Sequence, residues 1–284
     1  MAKLAKQNSL ASIPGTLVLV GAGKMGGAML EGWLARGLPP KKVVVLEPQP
    51  SKSIKALARH GVRINPKNAL SKRGGIGKVA AMVIAVKPQT APDALPQLAP
   101  LIGAKTVAVS IMAGRTLGFL DAVLPGAAHV RAMPNTPAAI GRGITVAVGN
   151  RRVTASARKL AHALLAATGS VEWVSDEALM DAVTAVSGSG PAYVFLLAET
   201  MARAGVAAGL PAALADKLAR ETVAGSGELL HRAPLPAATL RQNVTSPGGT
   251  TAAALDVLMG KDGLDPLMTR AIAAATRRGK ELAG

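Results

Sequence analysis

The sequence predicts a doubly wound α/β domain followed by an all-helical domain. Three observations carry that expectation. Short apolar runs alternate with helical stretches through the first 175 residues, as expected of parallel strands buried on both faces. A G-x-G-x-x-G stretch, Gly21-Ala22-Gly23-Lys24-Met25-Gly26, stands at the first strand-to-helix junction. After Trp173 no convincing strand follows. The boundary is placed near Ser175, giving residues 1–175 and 176–284 as the two domains, with residues 1–14 expected to be disordered.

The elements follow in order. Thr16–Val20 is an apolar run ending in Gly21, and Met25–Arg36 has helical spacing, with Met29, Leu30, Trp33 and Leu34 on one side. Val43–Leu46 is a second run. Ser51–His60 is a second helix, which Gly61 ends. Residues 65–78 read as a glycine- and lysine-rich loop. Met82–Val86, Thr106–Ile111 and the weaker His129–Ala132 continue the parallel sheet, while Ile144–Val148 and Val171–Val174 are expected as edge strands. Asp176–Arg203, Pro211–His231, Thr250–Met259 and Pro266–Leu282 read as helices entered by Ser, Pro or Asp.

Composition narrows the chemistry. Aromatic residues are 2% of the 284 and hydrophobic residues 49%, so the core is aliphatic. Cysteine is absent, which excludes disulfides, thiolate metal sites and cysteine nucleophiles and fits a reducing cytosol. The four histidines show no metal-ligand spacing, so no metal is expected. The N-terminus lacks the apolar core of a signal peptide, and no apolar run reaches the roughly 20 residues of a membrane span. A cytoplasmic protein with no membrane association is expected.

Residues 1–175 carry 23 Lys and Arg against 5 Asp and Glu, and residues 176–284 carry 10 against 11. A basic first half suits an anionic ligand, or it aids solubility. Basic residues never run beyond two together and no nucleic-acid-binding motif appears, so nucleic acid is not an expected partner.

The glycine motif carries the clearest chemistry. Gly21 permits the tight turn, Gly23 admits a pyrophosphate and Gly26 allows close helix–strand packing, while the helix start offers free amides. Glu47, at the end of the second strand, is placed to accept hydrogen bonds from an adenosine ribose and to disfavour a 2′-phosphate. That leans to NADH over NADPH, although Ser51 and Lys52 lie close enough in sequence to hold a phosphate. Lys87, in Ala85-Val86-Lys87-Pro88, faces phosphate, ribose or substrate, or is an ordinary strand-exit lysine. Ser187-Gly188-Ser189-Gly190-Pro191 reads as close backbone approach, helix to helix or protein to ligand, with packing the favoured cause. In Asn243-Val244-Thr245-Ser246-Pro247-Gly248-Gly249-Thr250-Thr251, exposed amides before a helix make a carboxylate site or a plain N-cap.

The stretches VGAGKMGGAML, AVKPQ, SIMAG, RAMPNTP, VSGSGPAYVF and VTSPGGTTAAAL occur in one order across residues 17–255. Together they resemble the pyrroline-5-carboxylate reductase family. The resemblance implies an N-terminal Rossmann domain, an all-α dimerisation domain and hydride transfer from NAD(P)H to 1-pyrroline-5-carboxylate, giving L-proline in the last step of proline biosynthesis. It also implies a homodimer, assembled in many members as a pentamer of dimers, with the active site between the Rossmann domain of one subunit and the helical domain of its partner. Carried over by motif, coenzyme contacts fall on Gly21, Gly23, Lys24, Met25, Gly26, Asn68, Ala85, Val86, Lys87, Pro88, Met112 and Ala113. The substrate carboxylate falls on Ser246, Gly248, Gly249, Thr250 and Thr251, with Asn243 and Glu177 nearby and Thr251 at the ring nitrogen as the catalytic residue. Two departures stand out. His231-Arg232-Ala233-Pro234 replaces a Glu-His-Pro segment of many members, and Glu47 stands where NADPH-preferring members often have a small hydroxyl residue.

Another imine reductase, or a β-hydroxyacid reductase, on the same fold is the rival reading. The hydroxyacid enzyme would need a dedicated lysine base in the helical domain, and Lys217, Lys261 and Lys280 all lie outside any glycine-rich or polar motif.

Overall fold

The computed structural model describes residues 10–70 and 75–283. Its contacts divide the chain into two compact units: one ends at Gly188 and takes in the last turns from Arg277, and the other spans Ser189–Thr276.

The first unit is built on one eight-stranded sheet of order β3-β2-β1-β4-β5-β6-β7-β8. Its strands are β1 (Thr16–Val20), β2 (Val43–Leu46), β3 (Arg63–Ile64), β4 (Val79–Ile84), β5 (Val107–Ser110), β6 (Ala128–Met133), β7 (Gly143–Gly149) and β8 (Gly169–Trp173). The helices are α1 (Lys24–Ala35), α2 (Lys52–Ala56), α3 (Ala91–Ala94), α4 (Leu117–Val123), α5 (Ala155–Leu165) and α6 (Met180–Val183). All of β1 and β4 is buried, because alternate residues enter opposite cores. Leu17, Leu19, Ala81 and Val83 meet Met29, Leu30 and Trp33 of α1 and Leu164 of α5. Val18, Val20, Met82 and Ile84 meet Leu95, Leu98 and Leu120 on the other face. The Trp33 indole N–H, fully buried, donates to the Leu164 carbonyl at 2.8 Å.

Strands β1 to β6 pair in parallel, but β7 runs antiparallel to β6 and parallel to β8. The segment expected as an edge at Ile144–Val148 is therefore interior; β8 and β3 are the edges. The reason is length: the β6–β7 link holds only the short turn Thr136–Ile140, whereas a parallel crossover takes a dozen or more residues. Sequence patterning does not single out β3, α3, α4 or α5. The last two start on side-chain caps, Thr116 accepting from Phe119 N–H and Thr154 from Ala157 N–H.

Two expectations are corrected. Of residues 1–14, 1–9 lie outside the described residues, but Leu10 and Ile13 are core residues and the Ile13 carbonyl accepts from Lys42 Nζ. By contacts the compact units part at Gly188, because Met180 and Ala185 bury in the first unit. The single helix expected over Asp176–Arg203 is broken by a π-turn at Thr184–Gly188 before α7 (Gly190–Ala207). Pro191 has no N–H for the Ser187 carbonyl.

The second unit holds α7, α8 (Ala212–Arg232), α9 (Ala237–Asn243), α10 (Thr250–Leu258) and most of α11 (Leu264–Ala283). Only Ala215 and Ala219 are buried there, while Phe195, Leu196, Leu229, Leu230, Val257 and Met259 are exposed.

His129 of β6 is buried: Nε2 bonds to the Leu124 carbonyl at 2.8 Å, and the half-exposed Asp121 carboxylate stands 3.6 Å away. Burial lowers its pKa below 6.5, against the opposing pull of the Leu124 carbonyl and Asp121; Arg152 lowers it further. The unfolded chain therefore takes up a proton at His129 before the folded one does, and stability falls as pH drops through about 6.5. Thermal melts are expected to show a midpoint falling from about pH 7 to about pH 5, with a shallower fall in His129→Leu.

Candidate active site

The carboxyl ends of four strands lie in one row, because Leu46 pairs with Val20, Val20 with Ile84 and Ile84 with Ser110. Chain order reverses between β1 and β4, and ligands of such sheets bind outside that switch point. An open cleft of roughly 1720 Å³ lies there, lined by Gly21, Gly23, Lys24, Glu47, Ser51, Asn65, Asn68, Ala85, Val86 and Lys87, among others.

The glycines differ in what they do. A Cβ on Gly21, whose φ is +87°, would stand 2.7 Å from the Ala85 carbonyl oxygen, and one on Gly26 would run into the Gly21 oxygen. Both are required by close packing of strand ends and helix. Gly23 has nothing within 4 Å of its Cβ position, so a side chain there would occupy the cleft. Its open backbone at the start of α1, whose first turn holds no acidic residue, fits a dinucleotide pyrophosphate. The residues present therefore fit a nicotinamide dinucleotide.

Glu47 is engaged already. Its Oε2 accepts from Ala22 N–H at 2.8 Å and its Oε1 from Gln49 N–H at 3.0 Å. Met25, Gly26, Pro88, Met112 and Ala113 do not line the cleft. Gly26 and Met112 are buried beneath it, and Met112 N–H donates to Ser110 Oγ. The Pro88 carbonyl accepts two bonds from Arg115, at 3.1 and 2.8 Å, and the guanidinium lies over the Phe119 ring. Arg115 thus fixes the Lys87–Pro88 turn. Sequence reasoning missed it because nothing local marks an arginine that reaches back to another strand end. It also missed Asn65, one of two non-glycine residues with positive φ among the described residues; the other is Asn68.

Glu177, expected near substrate, is committed within the first unit. Its Oε1 accepts from Leu117 N–H at 2.8 Å and pairs with Arg131 at 2.9 Å. Arg131 is 5% exposed and also lies 3.7 Å from Asp181. Glu177 therefore caps α4 and ties it to β6.

In the second unit, Asn243 ends α9, and Thr245 Oγ1 donates to the Arg241 carbonyl. Ser246 follows, and its carbonyl accepts from Gly249 N–H at 3.1 Å, closing a turn in which Gly248 has φ +66°. Gly249 caps α10 without a side chain, and no acidic residue lies in the first turn. The amides of Thr250, Thr251 and Ala252 thus lack intrahelical partners, and the positive end of the helix dipole is unneutralised. Free amides at a helix start with no acidic neighbour favour a negatively charged group.

A cleft at the switch point whose residues fit a nicotinamide dinucleotide places the chain in the class of nicotinamide-dependent oxidoreductases. Residues 177–282 match the model described as pyrroline-5-carboxylate reductase dimerisation, and residues 16–114 match that of NADP oxidoreductase, coenzyme F420-dependent. The pyrroline-5-carboxylate reductase of Synechocystis sp. is 40% identical over 268 residues, covering 94% of this chain and 97% of the relative. That of Pseudomonas aeruginosa is 35% identical over 268 residues, covering 94% and 96%. Among solved structures, a pyrroline-5-carboxylate reductase from Coxiella burnetii matches with TM-score 0.85 and 32% identity, over 95% of this chain and 99% of that one. The Plasmodium falciparum pyrroline carboxylate reductase with NADP bound matches with TM-score 0.78 and 28% identity, over 96% and 99%. The chain belongs to the pyrroline-5-carboxylate reductase family.

Proposed function

We propose that this protein reduces 1-pyrroline-5-carboxylate to L-proline, the last step of proline biosynthesis, with NADH as the preferred coenzyme. The observation that carries the reading is a dinucleotide cleft at the switch point of a chain that belongs to this family. A bound reduced nicotinamide supplies hydride to the C=N carbon, and the C=N π pair passes to nitrogen.

The chain's own residues bind and orient. The amides of Thr250, Thr251 and Ala252 hold the substrate carboxylate, with Ser246, Gly248 and Gly249 shaping the turn and Asn243 flanking it. Thr251 Oγ1 orients the ring nitrogen. An imine that arrives protonated is the better acceptor, so positioning replaces acid–base machinery. That agrees with a site that holds no histidine or cysteine. Glu177 acts as a positioning residue through Leu117 and Arg131.

On the coenzyme side, Gly21, Gly23 and Lys24 receive the pyrophosphate, Glu47 the adenosine ribose, and Asn68, Ala85, Val86 and Lys87 the remainder, while Met25, Gly26, Pro88, Met112 and Ala113 support the cleft without lining it. The Glu47 carboxylate beside the phosphate loop supports NADH. The exposed apolar side chains of the second unit support a homodimer, since a helical unit apolar on its outer faces needs covering. A pentamer of such dimers is the larger assembly the family suggests, and the cysteine-free composition supports a cytoplasmic location. Among the described residues no helix is long and apolar enough to cross a membrane.

Oxidation of NADH and NADPH, followed in parallel with and without 1-pyrroline-5-carboxylate, tests the activity. Thr251→Ala is expected to lower kcat/KM for the imine by about tenfold to a hundredfold, the loss of one or two charge-assisted hydrogen bonds, with KM for NADH little changed. Wild-type turnover and substrate KM in that variant would refute its role.

A further inference from the structure

We propose that Asn65 determines the coenzyme preference by holding Glu47 in place. The inference rests on the reading of the cleft above, in which Glu47 receives the adenosine ribose.

β3 is only two residues long and ends at Ile64. Asn65 N–H makes one more ladder bond, to the Val45 carbonyl at 2.9 Å. There the backbone leaves the sheet: Asn65 has φ +44°, and the next residue, Pro66, has no N–H to offer. Its carboxamide takes over the ladder. Glu47 N–H donates to Oδ1 at 2.9 Å, and Nδ2 donates to the Glu47 carbonyl at 2.8 Å. One side chain thus supplies both the acceptor and the donor that a further β3 residue would have supplied to β2.

This fixes the backbone of Glu47 one residue beyond Leu46, where β2 ends. From that anchor the carboxylate reaches Ala22 N–H in the glycine-rich turn and Gln49 N–H beyond Pro48. Each carboxylate oxygen then keeps lone-pair capacity for a ribose hydroxyl, while its charge opposes a 2′-phosphate. Asn65 and Glu47 both line the cleft. A left-handed residue before proline is uncommon, since the residue before proline favours extended backbone, and such outliers gather at binding sites. Ser51 and Ser53, whose hydroxyls lie 2.9 Å apart, line the same cleft. They offer donors to a phosphate once the carboxylate is free to swing aside.

The test compares Asn65→Gly, Glu47→Ser and the double variant in steady-state assays with NADH and NADPH. Glycine tolerates the positive φ, so the substitution removes only the carboxamide; thermal melts confirm folding, and Asn65→Ser serves if the glycine variant does not fold. The readout is the ratio of kcat/KM for NADH to that for NADPH. In Asn65→Gly this ratio is expected to fall about tenfold, or about 1.4 kcal/mol, mostly through KM for NADH. In Glu47→Ser it falls further, and adding Asn65→Gly to Glu47→Ser changes it no more. An Asn65 that merely braces the loop would raise KM for both coenzymes alike, leaving the ratio as in the unaltered enzyme; that result overturns the proposal while the reading of Glu47 stands. A ratio unmoved by Glu47→Ser overturns both.

Discussion

Replacing Gly23 by valine is expected to leave the fold intact and lower kcat/KM with either coenzyme by at least about a hundredfold, the penalty of a small misplacement at a reacting centre. The structure separates the two effects. Gly23 has φ −68° and ψ −162°, ordinary extended backbone that valine adopts without strain. Its Cβ position is clear of protein atoms within 4 Å, so the Cβ itself meets nothing in the fold. What valine fills is the cleft beside the start of α1, where the pyrophosphate needs the bare backbone. Unfolding midpoints should match the unaltered protein, while titration with NADH, read by fluorescence, should show no saturation. Saturable NADH binding of normal affinity would remove the glycine turn from the coenzyme site.

The second large effect falls on stability. Arg131→Met is expected to destabilise the first unit by about 3–5 kcal/mol, the cost of breaking a buried ion pair by removing one partner. Arg131 is 5% exposed and faces Glu177 at 2.9 Å and Asp181 at 3.7 Å. Methionine fills much of the volume but leaves two half-buried carboxylates without their cation. The same ion pair places the Glu177 oxygen that caps Leu117 N–H, so α4 loses its anchor to β6 as well. Denaturant melts measure the loss. Replacing all three groups, Arg131→Met with Glu177→Gln and Asp181→Asn, should recover much of it, because the penalty lies in unpaired charge more than in lost attraction. A single variant as stable as the unaltered protein would show that the three groups are solvated in the folded state.

Much of this was legible from residue order. The strands β1, β2, β4 and β5 announce themselves as unbroken apolar runs because both faces are covered, and the Gly21–Gly26 spacing marks the first turn. Motif order alone carried the family resemblance, and with it the loop before α10. These features are local: backbone conformation, burial periodicity and free helix-end amides depend on a few neighbouring residues.

What sequence could not decide is long-range pairing. That β7 reverses direction, that Leu10 and Ile13 join the core, and that Met180 draws the segment after β8 into the first unit all depend on contacts between distant residues. Glu177 is the sharpest case. Motif placed it near substrate, but its partners, Arg131, 46 positions earlier, and a helix start 60 positions earlier, are marked by nothing local. Asn65 likewise looked like loop, because its meaning lies in a carboxamide completing the ladder of a strand 18 residues before it. Hydrogen-bonding and charged groups find partners wherever folding brings them, and no spacing along the chain encodes which partner wins.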